Sequence, residues 1–176
     1  MANREALREL QTRLADRLQA ARAEGVQASW LAVEAAGVRY LFPLAQAGEI
    51  FPFAQPQHVP YTQPWFLGVA NLRGGLYGVI DLAAFASGRP PAMRTEAGRA
   101  DSRLVALNAA LEVNCALLID RLAGLRNLEA FASSSEPAEG SPAWFGSTYT
   151  DAAGVQWQEI NLQALSQHPQ FLSISA

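Results

Sequence analysis

A single cysteine, two histidines and a charged fraction of only 16% leave this 176-residue chain few of the usual means of doing chemistry. Cys115 has no partner for an internal disulfide and sits in the apolar run VNCALLID, where a thiol serves as a small hydrophobe. His58 and His168 lie far apart, and neither stands at metal-ligand spacing from Cys, Asp or Glu. No apolar run reaches the roughly 18–20 residues of a membrane-spanning helix, and the charged opening MANREALREL carries no signal-peptide pattern. The expectation is a soluble, cytoplasmic protein. A net charge of −3 supplies no basic field for a polyanion, which argues against nucleic acid as a partner.

The familiar catalytic motifs are missing as well. The stretch RGGLYG lacks both the lysine and the following helix of a phosphate-cradling loop, because strand-like residues continue to Leu82. There is no GxSxG elbow, and Ser133 to Ser135 cluster in a polar loop that makes a poor platform for a nucleophile. Glu49, Asp81 and Asp120 lie in or beside apolar strands, but spacing alone brings no two of them together as an acid–base pair. Nothing here supports an enzyme.

Half the residues are hydrophobic, enough for one domain or two small intimate ones. From Arg4 to Glu24, Leu7, Leu10, Leu14, Leu18 and Ala21 recur at three- and four-residue spacing, which predicts an amphipathic helix stopped by Gly25. The period then changes to two. Leu31 and Val33, then Val38, Tyr40 and Phe42, predict a hairpin of two half-buried strands with its turn at Ala35-Ala36-Gly37. Further short strands are expected at GEIFPF, FLGVANL, GLYGVIDL, RLVALNA, NCALLIDRLAGL, STYT and VQWQEINL. Ala54 to Trp65, Ser87 to Asp101 and Ala132 to Ala143 read as loops, and ALSQHPQFL as a short helix stopped near Pro169. Many short strands with little helix between them point to small closed barrels.

The stretch FLGVANLRGGLYGVIDL, Phe66 to Leu82, places one cation between two apolar runs. Gly68 lies inside a strand pattern, and Gly74-Gly75 follow Arg73 at a hairpin tip; such glycines allow positive φ or close backbone approach. Arg73 has two readings: a brace that donates to neighbouring loops, or a contact for a partner. The segment Ile50 to Phe53 reads either as an edge strand that a partner extends or as a core strand kinked by Pro52.

Gly68-Val69-Ala70-Asn71-Leu72-Arg73-Gly74, followed by Val79-Ile80-Asp81-Leu82, resembles the signature of the CheW family of chemotaxis coupling proteins. The upstream VRYLFPL, Gly48-Glu49-Ile50 and the downstream LLID agree with it over roughly Ser29 to Leu165. The resemblance implies two packed five-stranded SH3-like β-barrels over residues 28–170, after the helical extension 1–25 and before a tail at 171–176. It implies no catalysis, no cofactor and no metal. It also implies an adaptor that couples a chemoreceptor's cytoplasmic tip to the regulatory domain of a CheA-type histidine kinase in arrays at the inner membrane, without inserting into the membrane itself. Gly68, Asn71 and Arg73 fall on receptor-coupling positions, and Ala47, Glu49 and Ile50 on the kinase-binding segment. The charged extension, the tryptophan after it and ALSQHPQFL are similar to the branch that controls type IV pili and twitching motility. The rivals are a flagellar-type coupling protein and, from another class, a small β-barrel that binds nucleic acid.

Overall fold

The structure is a computed structural model that describes residues 9, 11–16 and 29–176. Residues 11–16 are helical, as the spacing predicts, and Leu14 is half exposed there. The rest of the helix expected from Arg4 to Glu24 lies outside the described residues.

Among the described residues, eleven strands build two mixed sheets. The chain enters through β1 (Trp30–Ala35) and β2 (Val38–Pro43), and a two-residue turn joins them with both Ala36 and Gly37 at positive φ. That turn type matches the right-handed twist of the paired strands. The chain then crosses to a five-stranded sheet made of β3 (Ala47–Pro52), β4 (Phe66–Leu72), β5 (Gly75–Asp81), β6 (Arg103–Leu107) and β7 (Cys115–Ile119), in spatial order β3-β6-β7-β5-β4. At Asp120 it crosses back into β8 (Arg121–Arg126), β9 (Phe131–Ser135), β10 (Phe145–Asp151) and β11 (Gln156–Ile160), giving the order β8-β1-β2-β11-β10-β9. The run NCALLIDRLAGL is therefore two strands in two sheets.

The expected pair of closed five-stranded barrels is not what forms. One sheet has six strands, each contains a parallel pairing (β2 with β11, β5 with β7), and neither closes on itself. The local reason is visible at the edges. Gln57 occupies the free side of β4 through two backbone hydrogen bonds with Val69, of 2.7 and 2.9 Å. On β3 the register slips between Ala47 and Ile50, and Pro52, at the strand's end, has no N–H to donate. An edge already occupied and an edge that is bulged cannot complete a ladder. In the other sheet β8 and β9 are consecutive in the chain yet lie at opposite edges, linked through a short 3₁₀ turn at Leu128–Ala130.

Both sheets curl, so the protein has three apolar layers. Phe51, Ala70, Leu72, Val79, Leu104, Ala106, Ala116 and Leu118 fill the five-stranded curl. Trp30, Ala32, Leu41 and Trp157 fill the six-stranded one, with Phe131 and Tyr149 packed against the Trp30 ring. Between the sheets lies the largest layer, which draws Leu31, Val33, Tyr40 and Phe42 from one side and Ile80, Val105, Leu117 and Ile119 from the other. β7 is buried at all five positions because its odd residues face the middle layer and its even residues the curl. The same reasoning corrects the expectation for β1: it is buried on both faces, with only Glu34 partly exposed.

Two expected loops carry structure: Glu96–Asp101 is a helix capped by Thr95, and β9 runs from Phe131 into the segment read as a serine-rich loop. A further helix, Leu82–Ser87, capped by Asp81, stands where a strand was expected to end. The strand expected to reach Leu82 ends one residue earlier because the Asp81 carboxylate accepts the Ala84 N–H at 3.0 Å and starts the helix. Near the C-terminus, Leu162–Gln167 and Pro169–Leu172 are two short helices that break at His168, with Pro169 opening the second. Trp144 and Trp157 are both buried, so these rings belong to the core.

Candidate functional site

The β4–β5 hairpin turns at Arg73-Gly74, where both residues have positive φ, 49° and 83°. Asn71 holds this tip by accepting the Gly74 N–H on its side-chain oxygen at 2.9 Å. Alternation sends Ala70 and Leu72 into the curl and leaves Asn71 exposed, and the turn projects Arg73 into solvent. Its guanidinium meets the Glu49 carboxylate on β3, the opposite edge strand, and lies 5.9 Å from the centre of the Phe51 ring. Phe51 in turn packs on Tyr77 of β5, 5.8 Å between ring centres. Side chains thus bridge the gap between β3 and the β4–β5 hairpin that backbone pairing leaves open.

The six residues singled out by motif separate into two kinds. Asn71, Arg73, Glu49 and Ile50 are exposed, and Arg73 and Glu49 touch. Gly68 is buried, and Ala47 is half buried against the middle layer in register with Leu107. Gly68 has φ +133, and a Cβ there would fall 2.6 Å from the Gln57 carbonyl carbon. Both uses of a strand glycine, positive φ and close approach, occur at this one residue. Gly78 is different: it marks no bulge, and its missing side chain makes room for the Phe66 ring.

A second polar cluster was not legible as such. The chain has no lysine, and all thirteen of its basic residues are arginines. Arg94, in the Pro-rich segment before Glu96–Asp101, donates from Nη1 to Asp81 at 2.8 Å and from Nε to Asp120 at 2.9 Å. Burial works against its charge, but the two carboxylates outweigh that and raise its pKa. Asp120 also accepts the Ala36 N–H at 2.7 Å, so Arg94 ties the five-stranded sheet to the β1–β2 turn of the six-stranded one. A rigid planar fork suits this double task better than an ammonium would. The sequence signal was the pair of carboxylates at the ends of apolar strands, each of which needs a cation if buried; nothing local named Arg94 as that cation. A cavity of about 620 Å³ opens beside the cluster, lined by Ala35, Val38, Tyr40, Ala84 and Met93 among others.

Cys115 is buried among apolar neighbours that push its thiol pKa up to about 12, so at neutral pH it is a hydrophobe. Among the described residues no cluster of His, Cys, Asp and Glu could hold a metal ion, and no helix is long and apolar enough to cross a membrane.

Two curled mixed sheets joined by a shared core, with a polar hairpin tip paired across the sheet opening, define a mainly β scaffold. Residues 29–170 match the CheW-like domain family, and the chain belongs to it. CheW-like domains are non-catalytic scaffolds, and this chain is a non-enzymatic signalling adaptor of that family. It is 27% identical over 161 residues to Protein PilI of Pseudomonas aeruginosa, covering 88% of this chain and 85% of that protein. The fold is similar to that of the scaffolding protein TtCheW from Thermoanaerobacter tengcongensis, with a TM-score of 0.63 at 18% identity, covering 81% of this chain and 94% of that one.

Proposed function

We propose that this protein couples the cytoplasmic tip of a chemoreceptor to the regulatory domain of a CheA-type histidine kinase, as a cytoplasmic component of receptor arrays in a system that controls type IV pili. Family membership supports the adaptor role, and similarity to PilI over most of both chains supports the pilus-type assignment. The observation that carries the mechanism is the Arg73–Glu49 ion pair. It joins the residue expected to serve the receptor with the residue expected to serve the kinase.

The pair is open to solvent: the Arg73 side chain is 76% exposed and that of Glu49 43%. An exposed pair of this kind contributes about 0–1 kcal/mol to folding, so it can be given up on binding at little cost. A partner carboxylate that takes Arg73 releases Glu49, and a partner cation that takes Glu49 releases Arg73. Occupancy of one face then changes the charge offered at the other, which is the reciprocal coupling that an adaptor needs. Many such weak contacts in an array add through effective concentration.

The test is reconstitution of the chain with receptor fragments and kinase regulatory domains from its own cell. Ternary assembly that exceeds either binary complex supports the reading, and failure to bind either partner rejects it. Capture of flagellar rather than pilus components would keep the class and overturn the pilus assignment.

A further inference from the structure

Gly68 presents a difficulty if it is read as a contact. It is buried, and what covers it is backbone, the Gln57 carbonyl and the His58 Cα. A partner approaching this part of β4 meets residues 54–65 first. That segment is held at two places by main-chain bonds. Gln57 and Val69 exchange hydrogen bonds of 2.7 and 2.9 Å directly beside Gly68. At the other end Gln63 donates its N–H to the Ile174 carbonyl at 2.7 Å, and Ala176 donates to the Tyr61 carbonyl at 3.0 Å. Between the anchors Thr62 Oγ1 donates to the Val59 carbonyl at 2.8 Å. Loops usually lie on the surface with few such ties. This one is a strap fastened at both ends.

The strap presents an aromatic ring. Tyr61 is 89% exposed, and its backbone takes φ +59, a conformation that a bulky residue adopts only when its surroundings impose it. Here the C-terminal Ala176 N–H and the Thr62–Ser175 bridge impose it. A tyrosine held outward on a fixed backbone has little ordering left to lose on binding, and tyrosine is enriched among the residues that dominate interface energies.

We propose that residues 54–65 form a recognition strap whose anchor is Tyr61, seated on β4 through Gln57, and that Gly68 is its positioning residue. The partner on this face is the chemoreceptor tip of the adaptor reading, on which this inference rests. Substitution at Gly68 acts by unseating Gln57 from β4, so the receptor-coupling motif works at this position through a loop that the motif itself does not contain.

The experiment compares Tyr61→Ala, Gly68→Ala and Gln57→Pro in the full chain. A soluble chemoreceptor-tip fragment and the kinase regulatory domain serve as separate probes, and amide hydrogen exchange is read in parallel. Tyr61→Ala is expected to weaken receptor-fragment binding at least tenfold, with kinase-domain binding and thermal midpoint unchanged. Gly68→Ala is expected to weaken the same binding and to speed exchange at the Gln57 and Val69 amides, while the β6 and β7 amides stay protected. Gln57→Pro removes the N–H given to Val69 without touching Gly68, and should weaken receptor binding as Gly68→Ala does. Wild-type receptor affinity in Tyr61→Ala, or weakened binding in Gly68→Ala with Gln57 still protected, would overturn the proposal. If the wild-type chain binds neither probe, the adaptor reading has failed, and the seating of the strap stands or falls on the exchange rates alone.

Discussion

Arg73, at the tip of the β4–β5 hairpin, pairs with Glu49 on β3, at the opposite edge of the same five-stranded sheet. An arginine without a carboxylate near it in sequence acquires one because the sheet curls. The two edge strands face each other across an opening too irregular for a ladder but narrow enough for an ion pair.

Replacement of Arg73 by Ala should therefore leave folding almost intact. An exposed pair predicts a loss of about 1 kcal/mol or less, while receptor-dependent recruitment of the kinase should fall severalfold. Thermal melts and a recruitment assay on the same preparation check this. Glu49→Arg with Arg73→Glu restores the pair in reverse. Recovery of stability without recovery of recruitment would show that partners read the charges individually.

Arg94 should behave in the opposite way. Asp81 is 1% exposed, and Arg94→Ala leaves its carboxylate buried without a cation. Breaking a buried pair costs about 3–5 kcal/mol, and the denaturant midpoint should fall accordingly at unchanged slope. Asp120→Asn should cost less, because the Asp120 side chain is 40% exposed and keeps water as a partner.

Alkylation of Cys115 should report unfolding. With its pKa raised from 9.0 to about 12 in the folded state, the group favours folding fully below about pH 9, and this contribution is lost as pH rises toward 12. At pH 8 the rate of reaction with a maleimide should match that of global opening, and denaturant should accelerate it in step with loss of tryptophan signal. Fast modification of the native protein would contradict the packing of β7.

Acid should weaken the protein partly through Glu34. A hydrogen bond from Arg121 chiefly, opposed by burial and aided by Arg39, holds its carboxyl below the ordinary 4.5. A depressed carboxylate contributes stability that is present above its unfolded pKa and lost as pH falls through the folded value. Arg121→Gln should thus be less stable than wild type near neutrality, and the difference should shrink in denaturant titrations as the pH falls below the ordinary 4.5.

Much of the local structure could be read in advance. The alternation in FLGVANL and GLYGVIDL marks β4 and β5, and the glycine after Arg73 marks their turn. Gly68 was recognisable as a place of positive φ or close approach, though not which segment approaches it. The helix Leu82–Ser87 was missed because a strand pattern running into it looks continuous; only the side chain of Asp81, bent back to cap Ala84, ends the strand. β9 was missed because Ser133 to Ser135 carry no apolar alternation. Its place comes from pairing with Thr148, Tyr149 and Thr150.

By itself the sequence determined most of the strands, the alternation of β4 and β5, the hairpin tip that bears Arg73 and the family to which the chain belongs. These rest on two-residue periodicity and on backbone preferences, which act between near neighbours. Only the tertiary structure decided that the sheets stay open, that Glu49 meets Arg73, that Arg94 gathers Asp81 and Asp120, and that Gln57 lies over Gly68. Each of these depends on how far a sheet curls before a bulge or an occupied edge stops it. Curl sums small twists over many residues, and no single stretch of the chain contains it.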